Sequence, residues 1–436
     1  MASTYLHKNQ GSPTNAYKFT YSVWLKRSKL GASQRFYQGY ESGNNRLYAM
    51  MTANDTIFCY GVTGGNVQVN VETTRKYRDT NGWYNVVLKG DSTLSTATDR
   101  FQIWVNGVRE TALTISSNIN QNTNFGNLVA QSNNTLTISG QESHSELWDG
   151  LMSHIHFTDG YAYDASAFGS TDSTTGEWKI NTSPSVTYGN TGYFILKDGN
   201  SVTDQSGNSN NFTVGGGTLT KTEDCPSSVF CTWNPNYRSA RKDMTLTNGN
   251  TFIFEQNSGD SGVSGNIAVS SGKYYWEQII AQVNGTNAAV IGGLHTTEDW
   301  NESPTDALSN NTCGMRANGN VYKNGSDLGN FTTADPNGDI FGIGFDADNG
   351  SVYFWRNGTA LNSGNAIITG LDMTKTWIPF GVQHGGARVT TSTNFGNGYF
   401  QTTAVSSAGT NASNNGIFEY DVPSGYTALS TKGLNL

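Results

Sequence analysis

Apolar residues recur along this chain in short runs of alternating phase. The run from Phe19 to Leu25 places Phe19, Tyr21, Val23 and Leu25 on one face. Trp83–Leu88 and Phe101–Val105 follow the same rhythm less strictly. A period of two marks strands with one buried face. Gly, Asn or Asp bounds each run. Four pairs, Asn106-Gly107, Asp149-Gly150, Asp159-Gly160 and Asn357-Gly358, tolerate the positive φ that tight hairpins demand. Helical periodicity is nearly absent. Its best candidate is Asp164–Gly169, a single turn with Asp as N-cap and Gly as stop.

The alternation fades between about Ser206 and Asn236, a stretch holding Gly215-Gly216-Gly217, Pro226 and Pro235. This reads as a connector stiffened by prolines. Strand signals resume at Thr251–Phe254 and Lys273–Glu277 and continue to Val389–Thr391. The last forty residues are looser and include Pro423–Leu429, a segment placed to pin the C-terminus on the second domain. The expected division is 1–215, a connector over 216–238, and 239–436. A weak echo links Arg100–Gly107 to Ser351–Gly358, each a strand running into Asn-Gly. Two related sandwiches produce such an echo, and so do two generic hairpins.

Composition sharpens the class. Hydrophobic residues make 35% of the 436 positions and charged residues only 14%, well under the usual quarter. Polarity comes from Asn, Thr, Ser and Gly, which favour turns and strands, and 21 Tyr and 20 Phe point the same way. The chain is expected to be all-β, with almost no helix. Its net charge is −8 and no Lys/Arg block occurs, which argues against binding nucleic acid by counterion release. No apolar run is long enough to span a bilayer, so membrane insertion is not expected. The first residues hold no apolar signal core, so export through a leader is not expected either. Cys59, Cys225, Cys231 and Cys313 are too few and scattered for a disulfide framework. Cys225 and Cys231 are close enough in sequence to pair, but free thiols are the expectation, as for a chain made in a reducing host cytoplasm.

Several phrases are specific enough to suggest kinship. Tyr21–Ser28, Arg78–Tyr84, Val105–Val108, Asp149–Gly160 and Asp204–Phe212 resemble the laminin-G-like, concanavalin-A-like jelly rolls of marine tailed-phage virion and tail-fibre proteins. The phrase Cys225–Pro235 belongs to the same resemblance. The second half is similar to SPRY domains, through Gly272–Glu277, Gly338–Gly350 and Tyr353–Gly358, and Pro423–Tyr426 recurs in phage versions of this pairing. The resemblance implies two concanavalin-A-like antiparallel β-sandwich (jelly-roll) domains in tandem. Many such relatives carry an anchoring segment ahead of the jelly roll, whereas this sequence starts almost directly on a strand. Attachment would then use sandwich surfaces, loops or the C-terminal tail.

Catalysis on a sugar would rest on the acids. Glycoside hydrolysis needs two carboxyl groups about 5 Å apart for retention or roughly 6.5–9.5 Å for inversion. The nearest cluster is Glu142, Glu146 and Asp149, but three-residue spacing puts Glu146 and Asp149 on opposite faces of a regular strand. Glu277 stands alone among aromatics. No Ser or Cys sits in an elbow-like context, so no catalytic residue is assigned. His154 and His156 share a strand face, with Asp159 near, a spacing that can chelate a metal; a packed pair is the plainer reading. Laminin-G-like domains often hold Ca²⁺, and Asp346, Asp348 and Asn349, like Asp198 and Asp204, resemble oxygen-rich loops. Ion-free turn chemistry competes with that reading. For ligand contact, Trp300 with His295 and Asp299, and Trp148 with Glu146 and Asp149, set an indole beside polar groups suited to sugar.

Binding without catalysis is therefore the expected function. The resemblance implies a virion structural protein, a tail-fibre or spike subunit in host attachment, with other virion proteins and a host-surface glycan or receptor as partners. The same analogy implies homo-oligomers, with trimers as the expected form. A capsid-decorating head fibre and a polysaccharide depolymerase are the alternatives.

Overall fold

In the computed structural model the alternation at Phe19–Leu25 becomes the strand Lys18–Arg27, and all four in-phase residues enter the core. The structure describes residues 3–435 except 117–118, 130–134, 198–200, 239–243, 256–260, 284–289, 298–307, 309–310, 334–336, 384–388, 410–411 and 413. Two compact units divide the chain, Met1–Lys221 and Thr222–Leu436.

The first unit is a sandwich of two antiparallel sheets. An eight-stranded sheet runs in the order Leu113–Ser116, Asn66–Thr73, Ile57–Thr63, Asn45–Met51, Gln34–Ser42, Thr135–Ile138, Tyr5–Asn9 and Thr213–Gly216. A six-stranded sheet runs Tyr193–Ile195, Gly150–Asp159, Lys18–Arg27, Tyr84–Asp91, Phe101–Val105 and Val108–Arg109. Leu47, Ala49, Cys59 and Leu136 from one sheet meet Tyr21, Val23, Leu88 and Ile155 from the other in a single buried cluster. The burial of two inner faces against each other is the main drive for this layering. Outside the six-stranded sheet, Ala165, Phe168, Tyr163, Trp178 and Val186 pack on Val87 and Trp104. That outer face is closed by chain.

The second unit repeats the architecture. One sheet runs Trp233–Arg238, Ser261–Gly265, Trp377–Gln383, Val290–Thr296, Thr312–Arg316, Asn320–Lys323 and Ser326–Asn330. The facing sheet runs Met244–Thr247, Phe252–Glu255, Val389–Asn394, Lys273–Val283, Ile340–Asp346, Ser351–Arg356 and Thr359–Ala360. Thr427–Ala428 pairs in parallel with Lys273–Val283, so the Pro423–Leu429 segment does dock onto this unit. Phe418, Tyr426, Val422 and Ala428 cover Tyr275 and Trp355 on the sheet's outer side.

Local expectations met mixed outcomes. Asn106-Gly107 and Asn357-Gly358 form two-residue hairpins with both residues at positive φ, and they close the two strands of the echo. Asp149-Gly150 and Asp159-Gly160 are not hairpins; they flank the ends of the strand Gly150–Asp159. The turn at Ala165–Ala167 is a 3-10 turn, and Asp164 does not cap it because its carboxylate pairs with Lys89 at 2.6 Å. The stretch read as a connector is partly strand. Thr213–Gly216 belongs to the first unit's sheet and Trp233–Arg238 to the second's, with Phe230, Cys231 and Trp233 buried. Cys231 is in the second core and half-buried Cys225 lies in a turn beside Ser227, so no disulfide joins them.

Candidate binding face

Directly opposite residues of an antiparallel pair share a face. The register of the first unit's eight-stranded sheet therefore lines up Asn70, Tyr60, Tyr48, Gln38, Thr137, His7 and Thr213 in one cross-strand row. Val69, Gly61, Leu47, Gly39 and Leu136 form the alternate row, which faces the core. The first row is thus outward. Phe58, opposite Met50, belongs to the next outward row.

Three of these outward side chains make a half-buried aromatic triangle. Ring centroids are 5.6 Å apart for Tyr48 and Tyr60, 6.1 Å for Tyr48 and Phe58, and 6.2 Å for Phe58 and Tyr60. Such rings offer flat apolar area with little side-chain freedom left to lose. Two guanidinium groups border it. Arg35 lies 4.0 Å from the Tyr48 ring centre and Arg46 lies 5.8 Å from that of Tyr60. Arg46 donates to the Gly43 carbonyl and makes no ion pair among the described residues. Burial first, then the Glu146 and Tyr60 charges, raises the Tyr48 hydroxyl pKa against the opposing pull of Arg35 and Arg46. The phenol stays neutral and can both donate and accept.

The loop between Ile138 and Gly150 walls one side. His144 stacks on Tyr5 at 4.0 Å, Glu142 accepts from Gln38 Nε2, and Glu146 accepts from Arg35 Nε at 2.6 Å. Arg35 also donates to Gln38 Oε1 at 2.7 Å, so Glu146, Arg35, Gln38 and Glu142 form one continuous chain. The loop is not a strand: His144 and Glu146 have φ of 58° and 51°. The strand-face argument separating Glu146 from Asp149 therefore does not apply, and the loop instead brings Glu142 and Glu146 to one rim.

The other expected site residues are distributed differently. Trp148 is 4% exposed and packs edge-on against Phe36 at 6.3 Å, so its face is spent in the core. Asp149 is half-buried, and desolvation raises its carboxyl pKa. Trp300 and Asp299 lie outside the described residues. His295 is fully buried rather than presented to a ligand; its Nε2 lies 2.6 Å from Ser264 Oγ and its Nδ1 2.8 Å from the Thr296 carbonyl. Burial drives its pKa down to about 4.

The metal candidates are tied up by protein groups. Asp346 accepts from Lys273, Asn349 Nδ2 and the Asp348 and Asn349 amides, and Asp348 accepts from the Gly272 amide. These bonds are the turn chemistry of a tight Asp/Asn loop. A bulge sets His154 at φ 46° beside Ser153, while His156 stacks on Phe194 and meets Tyr188 Oη at 2.9 Å. Asp159 accepts from the Thr14 and Thr191 amides and anchors those loops. Asp204 is held by Phe194, Ser206 and Asn210, and Asp198 lies outside the described residues. Among the described residues no group of three His, Cys, Asp or Glu is arranged to hold an ion.

Comparison with known proteins places this geometry. Residues 2–165 match the laminin-G-type family model described as the Concanavalin A-like lectin/glucanases superfamily. The N-terminal sandwich is concanavalin-A-like. The match spans the strands carrying Tyr48, Phe58 and Tyr60 and the Glu142–Glu146 loop. Among solved structures, the chain resembles the SPRY domain of human HERC1 at 17% identity and TM-score 0.32, covering 37% of this chain and 96% of that one. It also resembles the TRIM65 PSpry domain, at 14% identity and TM-score 0.29, covering 38% and 91%. A heptameric SAP-like pentraxin from Limulus polyphemus aligns at 12% identity and TM-score 0.28, covering 37% and 71%. No curated protein matches. The fold class is all-β, with antiparallel β-sandwiches in tandem, the first of them matched by the concanavalin-A-like model.

Tyr48, Phe58 and Tyr60 were missed in the sequence. Their signal was present: in Arg46–Met50 and Ile57–Gly61 the aromatic residues occupy the phase opposite Leu47, Ala49, Ile57 and Cys59.

Proposed function

We propose that this chain is a non-enzymatic structural protein of a phage particle surface, a tail-fibre or spike subunit, whose N-terminal sandwich holds a host-surface glycan. The Tyr48–Phe58–Tyr60 triangle carries this reading. Sugar rings present apolar C–H faces that lie on aromatic rings, while their hydroxyls need donors and acceptors at the edge. Arg46 and the outer oxygens of Glu142 and Glu146 are placed to supply those. Both carboxylates also serve as scaffold, one on Arg35 and one on Gln38, which suits holding a glycan better than cleaving it. Homo-oligomerisation and virion partners remain part of the proposal, since repeated weak sites on one particle multiply into firm attachment.

The test is calorimetric titration of the purified chain with host-surface polysaccharide, alongside Tyr48→Ala and Tyr60→Ala. Saturable binding weakened by both substitutions supports the reading; equal binding by all three proteins overturns this site. New reducing ends in the same mixture would convert the proposal to a depolymerase. Imaging of intact particles with a tagged chain decides tail against head, and absence of the chain from particles would sink the virion role.

A further inference from the structure

The phrase Asp204–Phe212 takes no part in the aromatic face, yet it builds an unusual buried site at the other edge of the same sheet. Lys8, on the strand Tyr5–Asn9, is 9% exposed. Its Nζ lies 3.0 Å from Asn210 Oδ1 and 3.1 Å from Gln10 Oε1, and 5.9 Å from the ring centres of both Tyr193 and Phe212. It makes no ion pair among the described residues. A buried ammonium without a carboxylate in contact is costly, and neutral acceptors plus two rings repay only part of that cost.

The asparagine is fixed for reaction. Its Nδ2 donates to the Asn190 and Gly192 carbonyls at 2.9 and 2.8 Å, so its Oδ1 cannot exchange places with the nitrogen and is left facing the lysine. The Asn210 backbone N–H is held by Asp204 Oδ2 at 2.8 Å. The electrophilic Cγ lies one carbonyl bond, about 1.2 Å, beyond the oxygen that Nζ already touches.

We propose that Lys8 and Asn210 condense, side chain to side chain, into an intramolecular isopeptide bond. The neutral Lys8 amine attacks Cγ of Asn210, the new bond is Nζ–Cγ, and the Cγ–Nδ2 bond breaks. Nδ2 departs as ammonia from between the two carbonyls that cradle it, carrying the proton that Nζ sheds. No oxidant or reductant is involved. Asp204, whose charge reaches Lys8, holds the Asn210 backbone N–H through Oδ2 and so keeps the amide in place. Burial lowers the Lys8 pKa to about 8 against the opposing pull of Asp204, which makes roughly a tenth of the amine nucleophilic at neutral pH. The product replaces a buried charge with an uncharged amide and ties the first strand of the unit to the loop before its last strand.

Intact-mass measurement of the purified full chain tests this. The wild type is expected to weigh one ammonia less than its sequence, while Lys8→Arg and Asn210→Ala each retain the full sequence mass. Lys8→Arg keeps the charge and the hydrogen-bond donors, so a folded circular-dichroism spectrum is expected with no link. Acylated Lys8 resists trypsin, so digestion should yield one branched species joining residues 1–18 to residues 198–221. A folded wild type at full sequence mass overturns the proposal. So does an ammonia loss that maps to a cyclised Asn-Gly pair instead of the branched peptide.

Discussion

Ionisation of Glu277 should destabilise the second unit, and Glu277→Gln should abolish that dependence. Glu277 sits on the strand Lys273–Val283 with no exposed surface. Oε1 accepts from Tyr275 Oη at 3.2 Å and the Tyr420 amide at 2.9 Å; Oε2 accepts from Asn394 Nδ2 at 3.3 Å and the Glu419 amide at 2.9 Å. Desolvation outweighs all four donors and lifts the pKa from its ordinary 4.5 to about 7. Between those values the folded state binds the proton that the unfolded state has lost, so stability falls as pH rises, by roughly 3 kcal/mol in all. His295 works the other way in the same unit. Its pKa falls from 6.5 to about 4, so the unfolded state takes up a proton first and stability falls as pH drops, again by roughly 3 kcal/mol. From pH 4.5 to 6.5 the two slopes oppose and nearly cancel in the wild type.

Glu277→Gln removes one slope and leaves the other. It also turns an amide N–H toward a backbone N–H, a fixed offset of about 1–3 kcal/mol that does not depend on pH. Urea unfolding of both proteins across pH 4 to 8 should therefore show a wild-type advantage that shrinks by roughly 3 kcal/mol toward high pH. The variant alone should show His295's loss on acidification. Parallel stability curves for the two proteins would refute the reasoning.

The other predictions concern the first unit. Arg27 is fully buried between Asp55, 3.1 Å away, and the Tyr77 carbonyl. Arg27→Met should cost about 1–3 kcal/mol, since Asp55 keeps Arg78 and the Gly31 amide but loses one guanidinium and the Tyr77 carbonyl loses its donor, measurable as a fall in the urea midpoint. Burial alone would raise the Asp55 pKa, but the Gly31 amide, Arg78 and Arg27 together lower it. Its stabilisation is therefore complete above the ordinary carboxylate range and lost as pH falls through the lowered value; Asp55→Asn should remove that acid-limb slope. Gly107 stands at φ 76° with a Trp178 ring atom 2.3 Å from where a Cβ would be. Gly107→Ala should destabilise by more than the roughly 1 kcal/mol of backbone strain alone, read as a lowered melting temperature. Tyr48→Ala should weaken glycan binding about tenfold, about 1.4 kcal/mol of lost stacking, while the chain still unfolds cooperatively at a modestly lower melting temperature.

The layers were legible because a half-buried strand writes its burial into the sequence with a period of two. Phe19, Tyr21, Val23 and Leu25 were readable for that reason, as were the Asn-Gly turns at 106 and 357. What stayed hidden depends on contacts distant in sequence. Thr20, Ser22 and Trp24 look solvent-facing by phase, yet all are buried. The Trp148 and His295 neighbourhoods looked like ligand sites because an indole or imidazole beside acids looks the same in a core as on a rim. Lys8 and Asn210 lie 202 positions apart, and the pairing of Tyr5–Asn9 with Thr213–Gly216 brings their segments together.

Each sandwich has two outer faces, and what covers them decides where a ligand can sit. In the first unit, residues 163–186 close the face of the six-stranded sheet with Phe168 and Trp178. In the second, residues 418–428 close the face that bears Tyr275 and Trp355. Aromatic residues on those faces are explained by their covers. Tyr48, Phe58 and Tyr60 are not, since the Glu142–Glu146 loop reaches the strand beside them through Arg35 and Gln38 but leaves all three rings half-buried. Three packed rings at an open face cost solubility and contribute little to the core, which is the ground for the proposed flat, hydroxyl-rich ligand. Replacing Phe58, the ring with no polar atom, by Ser tests this directly. Loss of glycan binding with unchanged stability fits the argument, whereas loss of stability with unchanged binding would make the triangle ordinary packing.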